Sequence, residues 1–315
     1  MTDPRQALGA VREQVGKAVI GQDLVVSGLL AALLVRGHVI LEGVPGTAKT
    51  LMVKALARSL DLGFRRIQLA PDLMPSDVTG NVVYEGSTGE FRFRPGPVFT
   101  HLLLADEINR TPPKTQAALL EAMEERQVTT EGESRPLPEP FLVAATQNPI
   151  EFEGTYPLPE AQLDRFLFKL SVSYPGRDAE RAVLGMHHAG KDPHDLDALG
   201  VQPVAGADDL RAGSDAVTAI RVDDQVMAYV LDLVEETRRT PSLSLGVSPR
   251  GAAMLLLAAK AWALLQGRTY VTPEDVKSIG PDVLRHRIIL TYEAEAQAVT
   301  SDAIIKKVFN TVPVP

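Results

Sequence analysis

Leu41-Glu42-Gly43-Val44-Pro45-Gly46-Thr47-Ala48-Lys49-Thr50 decides the fold class of this 315-residue chain. Val39, Ile40 and Leu41 form a short apolar run suited to a buried strand. A turn rich in Gly and Pro follows, and then Leu51 to Leu60 with the apolar spacing of a helix. Strand, glycine-rich turn and helix N-terminus together aim backbone N–H groups at one point, which is what a polyphosphate requires. Lys49 places a charge near the β- and γ-phosphates, and the Thr50 hydroxyl is the expected Mg²⁺ ligand. The usual pattern is G-x-x-x-x-G-K-[ST], and Ala48 replaces its second glycine. Placed in the first helical turn, Ala48 is sterically acceptable and a better helix former than Gly.

Outward from this loop, the first ~175 residues alternate strand-like runs (Val39–Leu41, Phe64–Leu69, His101–Ala105, Phe141–Thr146, Phe166–Val172) with helical patterns at about Pro4–Ala18, Asp23–Arg36, Ala48–Leu60 and Pro112–Glu125. Such alternation implies an α/β fold, a parallel sheet with helices on both faces and ligands bound beyond the carboxyl ends of its strands. Two hairpins interrupt it, Asn81–Glu85 with Glu90–Arg94, and one within Gln127–Pro138. Asp178–His188 is expected to be a helix, and Ala189–Ser214, rich in Gly, Asp and Pro, a connector. From Arg221 on, helical signals dominate: Asp223, Ser248-Pro249 and Thr272-Pro273-Glu274-Asp275 are helix starts. The expected organisation is a nucleotide-binding core over 1–176, a connecting helix and linker over 177–220, and a small helical domain over 221–315.

Composition narrows the function classes. Apolar residues make up 45% and charged residues 23%, typical of a globular protein. No apolar run reaches the ~20 residues that span a bilayer, and no secretory signal is visible, so a cytoplasmic location is expected. With no cysteine, disulfides, thiolate metal sites and cysteine nucleophiles are excluded. A net charge of −8 argues against a broad nucleic-acid-binding surface. His187, His188 and His194 lie by the connector without an acidic frame and are expected to be solvated rather than metal ligands. Trp262 is expected in the core of the helical domain.

His101-Leu102-Leu103-Leu104-Ala105-Asp106-Glu107 is an apolar strand ending in two carboxylates, 57 residues after Lys49. Asp106 fits the strand-end carboxylate that fixes Mg²⁺, and Glu107 can orient and deprotonate an attacking water. A further buried strand, Phe141 to Thr146, ends in Gln147-Asn148-Pro149, where Asn148 either positions that water or simply begins a turn.

These segments resemble the AAA+ ATPases of the MoxR family. The matching stretches are Gly43–Thr50, Asp106-Glu107-Ile108-Asn109-Arg110, Ala145–Glu151, Gly154–Phe166, Gly246-Val247-Ser248-Pro249-Arg250, Gly267–Val276 and Val283-Leu284-Arg285-His286-Arg287, so nearly the whole chain is covered. Ala48 departs from the general loop pattern but is common in this family. The resemblance implies a P-loop AAA+ core followed by an all-helical lid, with ATP and Mg²⁺ as ligands and a ring, expected to be a hexamer. It assigns Lys49 and Thr50 to Walker A, Asp106 and Glu107 to Walker B, and Asn148 to sensor 1. It makes Arg250 the sensor 2 arginine, reaching the γ-phosphate of its own subunit, and Arg165 the arginine finger supplied to a neighbour, with Arg110 as a rival. Ile20, Gly21 and Gln22 would border adenine. The resemblance further implies chaperone-like maturation of protein complexes, often metal-cofactor enzymes, with a separate von Willebrand factor A domain partner. A magnesium-chelatase-like ATPase subunit and a nucleotide-gated scaffold with little turnover remain the alternatives.

Overall fold

The computed structural model describes residues 3–149 and 154–315. Ile150 and Glu151, which end the third of the matching stretches, lie outside the described residues. Five parallel core strands, β1 (Val39–Glu42), β2 (Phe64–Gln68), β3 (Leu102–Asp106), β4 (Leu142–Gln147) and β5 (Phe168–Ser171), form the main sheet in the order β2-β3-β4-β1-β5. β3 and the first five residues of β4 are buried on both faces, hence their unbroken apolar runs. Val39, Leu41, Leu102, Leu104, Leu142 and Ala144 face one apolar cluster, while Ile40, Leu103, Ala105, Val143 and Ala145 face another beneath the helix Pro113–Glu125. The register sets Gln68 beside Asp106 and Glu42 beside Gln147, so the polar strand ends share one edge of the sheet.

The two hairpins pair Gly80–Glu85 with Glu90–Pro95, and Gln127–Thr130 with Glu133–Pro136. Arg135 of the second lies over the Phe93 ring of the first, 4.2 Å from its centroid. Part of the expected connector is helical: Ala207–Ala219 packs on the helices Pro4–Gly16 and Asp23–Leu34. The remainder is tied to the helix Lys49–Ser59, with Arg58 Nη2 donating to Asp197 Oδ1 at 2.6 Å and Val204 N to Ser59 O at 2.9 Å.

The helix Asp23–Leu34 is apolar on all sides, as expected of a helix packed on two fronts. It touches β5 on one side and the helix Pro249–Leu265 on the other, joining sheet and C-terminal helices through a single apolar cluster that includes Trp262. The C-terminal region is not wholly helical. Leu243–Leu245 and Ile289–Leu290 form a short antiparallel ribbon, too brief to leave a period-two pattern in the sequence.

Arg285-His286-Arg287 clasps this region to the entrance of β5. Arg287 is buried; its Nε donates to Asp164 Oδ1 at 2.8 Å and its Nη1 to Leu167 O at 3.1 Å. His286 Nε2 meets Phe166 O at 3.0 Å, and Arg285 Nη1 donates to Lys169 O at 2.5 Å.

His38 is a second buried histidine. Its Nε2 meets Met123 O at 3.1 Å and its Nδ1 accepts from Val143 N at 3.0 Å, a pairing that the neutral ring satisfies completely. Burial pushes the His38 pKa down to about 4, and burial with the Arg287 charge pushes His286 down as well. Both rings take up a proton in the unfolded chain near pH 6.5 but resist it when folded. Stability should therefore fall as pH drops from about 6.5 toward 4, by about 3 kcal/mol for His38 alone. Urea unfolding across that range is the check; a flat profile contradicts the account.

Candidate nucleotide-binding site

A cleft of about 680 Å³ opens at the carboxyl edge of the sheet, between β1, β3 and β4. The phosphate loop, Asp106, Glu107, Thr146 and Asn148 line one end, and Val19, Ile20, Gln22, Tyr174, Pro175 and Leu184 the other. Gly43 is required by packing, because a Cβ there would lie 2.3 Å from the Val172 carbonyl oxygen. Gly21 does not itself line the cleft. Its φ of +77° and a Cβ position only 2.8 Å from Ala179 Cβ let the helix Arg177–His188 approach.

Lys49 Nζ donates to Gly43 O at 2.7 Å and to Val44 O at 2.8 Å, so its ammonium is held inside the curl of the loop. Burial lowers its pKa and Asp106 partly offsets this. Ala48 is not in the first helical turn. It is the N-cap of Lys49–Ser59 and left-handed, with φ +62° and ψ +22°. The loop must turn the chain here before the helix amides can point inward, and a residue with a Cβ adopts that conformation at a cost of about 1–2 kcal/mol. Helix propensity therefore does not account for Ala48.

Asp106 is buried, with Oδ1 accepting from Thr146 Oγ1 at 3.1 Å and Oδ2 from Arg66 Nε at 2.6 Å. The same Thr146 Oγ1 accepts from Glu107 N at 2.9 Å, which helps hold Glu107 in a left-handed conformation, φ +59°. Glu107 Oε2 accepts from Gln68 Nε2 at 2.6 Å and lies 3.3 Å from Arg110 Nε. The donor set suits a hard divalent cation: one carboxylate and the Thr50 hydroxyl, both oxygen, with Arg66 already showing that Asp106 accepts a cation.

The two distal arginines lie elsewhere. Arg165 Nη1 is 2.9 Å from Glu124 Oε2, Arg250 Nη1 is 3.6 Å from Glu124 Oε1, and neither residue lines the cleft. Arg250, expected to reach the phosphates of its own subunit, stands at the start of Pro249–Leu265 beside Glu124 and outside the cleft lining. Asp164, next to Arg165 in the chain, pairs with Arg287.

The cleft sits where a parallel sheet binds ligands, with two strand-end carboxylates beside a lysine-bearing loop, and the chain is similar to known proteins over nearly its whole length. A model of the ATPase family associated with various cellular activities matches residues 38–168, and an AAA lid domain model matches residues 235–308. Chaperone MoxR1 of Mycobacterium tuberculosis is 44% identical over 311 residues, covering 96% of this chain and 81% of its own length. This chain belongs to the MoxR family of AAA+ ATPases. The uncharacterised YeaC of Bacillus subtilis is 48% identical, covering 99% of this chain and 96% of YeaC. The 2.00 Å crystal structure of a protein from Cytophaga hutchinsonii superposes with a TM-score of 0.90 at 41% identity, covering 99% of this chain and 96% of that one. Relatives named as magnesium-chelatase subunits are more distant, at 27% identity.

Two residues escaped the sequence reading. Arg66 and Gln68 engage Asp106 and Glu107 from β2, where Arg65-Arg66 has the look of a solvated edge strand; only the spacing of two hinted that Arg66 and Gln68 share a face. His187 and His194, expected to be solvated, are exposed and also line the cleft, and no group able to hold a metal through three His, Cys, Asp or Glu residues occurs among the described residues. No helix among the described residues is long and apolar enough to cross a membrane.

Because Ala48 is left-handed, Ala48→Gly should raise the unfolding free energy by about 0.5–1 kcal/mol without weakening nucleotide binding. Urea unfolding with fluorescent-nucleotide titration tests this; a destabilised Gly variant would show that the strain is absent.

Proposed function

We propose that this MoxR-family chain hydrolyses ATP to ADP and phosphate, with Mg²⁺, in a ring expected to hold six subunits. The observation that carries the reading is that Lys49, Thr50, Asp106, Glu107 and Asn148 line one cleft. Lys49 exchanges its loop carbonyls for phosphate oxygens, and loop amides from Gly43 to Thr50 cradle the rest of the chain of phosphates. Thr50 and Asp106 would hold Mg²⁺, which when bound neutralises charge on the phosphates. Glu107, once free of Gln68, takes a proton from the attacking water as the water oxygen bonds to the γ-phosphorus and the bond to ADP breaks. Asn148 orients that water, and Val19, Ile20 and Gln22 border the base.

Two guanidiniums converging on the single Glu124 carboxylate support a trans role for both Arg165 and Arg250. A carboxylate is a smaller version of the anion they would meet on a neighbouring subunit, and release from Glu124 would free the pair. Arg110 is less suited, since it stands beside Glu107 of its own site. Arg165→Ala and Glu107→Gln should each lose most ATPase turnover while keeping nucleotide affinity within a few-fold. Mixed together, the two variants should recover measurable activity, because each can complete the other's site. Failure to recover points to a cis role for Arg165, and unchanged turnover in Glu107→Gln favours a nucleotide-gated scaffold.

For biological role, we infer chaperone-like maturation of a protein complex. The name of the relative, chaperone MoxR1, supports it, and the family resemblance implies a von Willebrand factor A domain protein as partner. The hairpin Gly80–Pro95 offers a contact surface: Tyr84 and Phe91, cross-strand partners with ring centroids 5.3 Å apart, are 58% and 74% exposed. A Glu107→Gln chain loaded with ATP should retain partner and client on affinity purification, and Tyr84→Ala with Phe91→Ala should reduce that recovery. If no von Willebrand factor A domain protein is recovered, that partnership fails.

A further inference from the structure

β2 is the edge strand of the main sheet, and Arg66 and Gln68, two residues apart, stand on its same face and line the cleft. Asp106 is held between a fixed and a movable partner. The Thr146 hydroxyl, buried at the end of β4, takes Oδ1. Arg66 takes Oδ2 at 2.6 Å from a side chain that is itself half exposed. The carboxylate cannot turn to solvent, but the guanidinium can swing away at little cost, since half-exposed ion pairs are weak. A divalent cation arriving at Oδ2 would meet the guanidinium at contact distance, where like charges repel strongly.

We propose that Arg66 is the resident counter-ion of Asp106, a positioning residue that competes with the divalent cation and sets the metal concentration at which the site loads. The inference rests on the ATPase reading above. Without Arg66, the buried Asp106 carboxylate would keep only the Thr146 hydroxyl and the electrostatic pull of Lys49 to offset its charge. With it, the charge is balanced until metal arrives. Arg66 Nη2 also donates to Gln68 Oε1 at 3.3 Å, while the Gln68 amide nitrogen donates to Glu107 Oε2. Departure of Arg66 from Asp106 therefore removes the contact that orients the Gln68 amide. Metal loading and loosening of Glu107 become parts of one rearrangement along β2.

The experiment reads metal binding directly. Mn²⁺ is titrated into the full chain with a non-hydrolysable ATP analogue, and free Mn²⁺ is followed by electron paramagnetic resonance. Arg66→Ala and Arg66→Gln should bind Mn²⁺ roughly threefold to tenfold more tightly than wild type, with Arg66→Lys between. Arg65→Ala is the charge control. It removes the same charge from the same strand, but its guanidinium reaches Gly96 O at 3.4 Å instead, and its Mn²⁺ affinity should stay within about twofold of wild type. Arg66 variants that bind Mn²⁺ no more tightly than wild type would overturn the proposal, as would an equal shift in Arg65→Ala. Wild type that binds no Mn²⁺ with the analogue would sink the ATPase reading itself, and the inference with it.

Discussion

Beside the apolar packing of Asp23–Leu34, the seat of the lid on the sheet depends on a guanidinium that cannot reach water. Arg287 is buried at the entrance of β5, and burial lowers its pKa only to about 10, so it stays charged at neutral pH. A buried charge must be paired and hydrogen-bonded, and removing its partner is far costlier than never having the pair. Arg287 meets that demand with Asp164 and the backbone carbonyls of Phe166 and Leu167. The lid is thereby held against the strand entrance in one orientation, and its helix Pro249–Leu265 starts beside Glu124. The arginine pair at Glu124 follows from the same constraint, since Asp164 immediately precedes Arg165 in the chain.

At the opposite edge of the sheet, charges are balanced by partners that can be exchanged. Lys49 rests on loop carbonyls, Asp106 on Arg66, Glu107 on Gln68 and Arg110. Each contact satisfies a buried or half-buried polar group, and each involves an atom that a nucleotide, a metal ion or a water would need. Strand ends alone do not produce this. It requires β2, β3 and β4 in register, so that Gln68, Asp106 and Thr146 come to one level.

The core was largely legible from the sequence because its signals are local. Buried parallel strands are unbroken apolar runs, caps precede helices, and the phosphate loop lies within ten residues of chain; Asp223, Ser248 and Thr272 all cap where the pattern places them. What was not legible depends on contacts across the chain. Arg66 and Gln68 gain their roles only by sheet pairing with β3. His194 lines the cleft from a segment tied to Lys54 of the helix Lys49–Ser59, and His187 from the helix Arg177–His188. Ala48 was misplaced by one position, and that one position exchanges a helical residue for a left-handed one.

By itself, the sequence determined the sheet, the phosphate loop, the two strand-end carboxylates and the family, because hydrophobic period, turn chemistry and contiguous motifs are written in neighbouring residues. Only the tertiary structure decided which cation faces Asp106, where Arg250 goes, and that Arg165 and Arg250 meet on one carboxylate. The reason is physical. Buried charges such as Asp106 and Arg287 need partners, and the partners that satisfy them lie from 40 to more than 100 residues away in the chain.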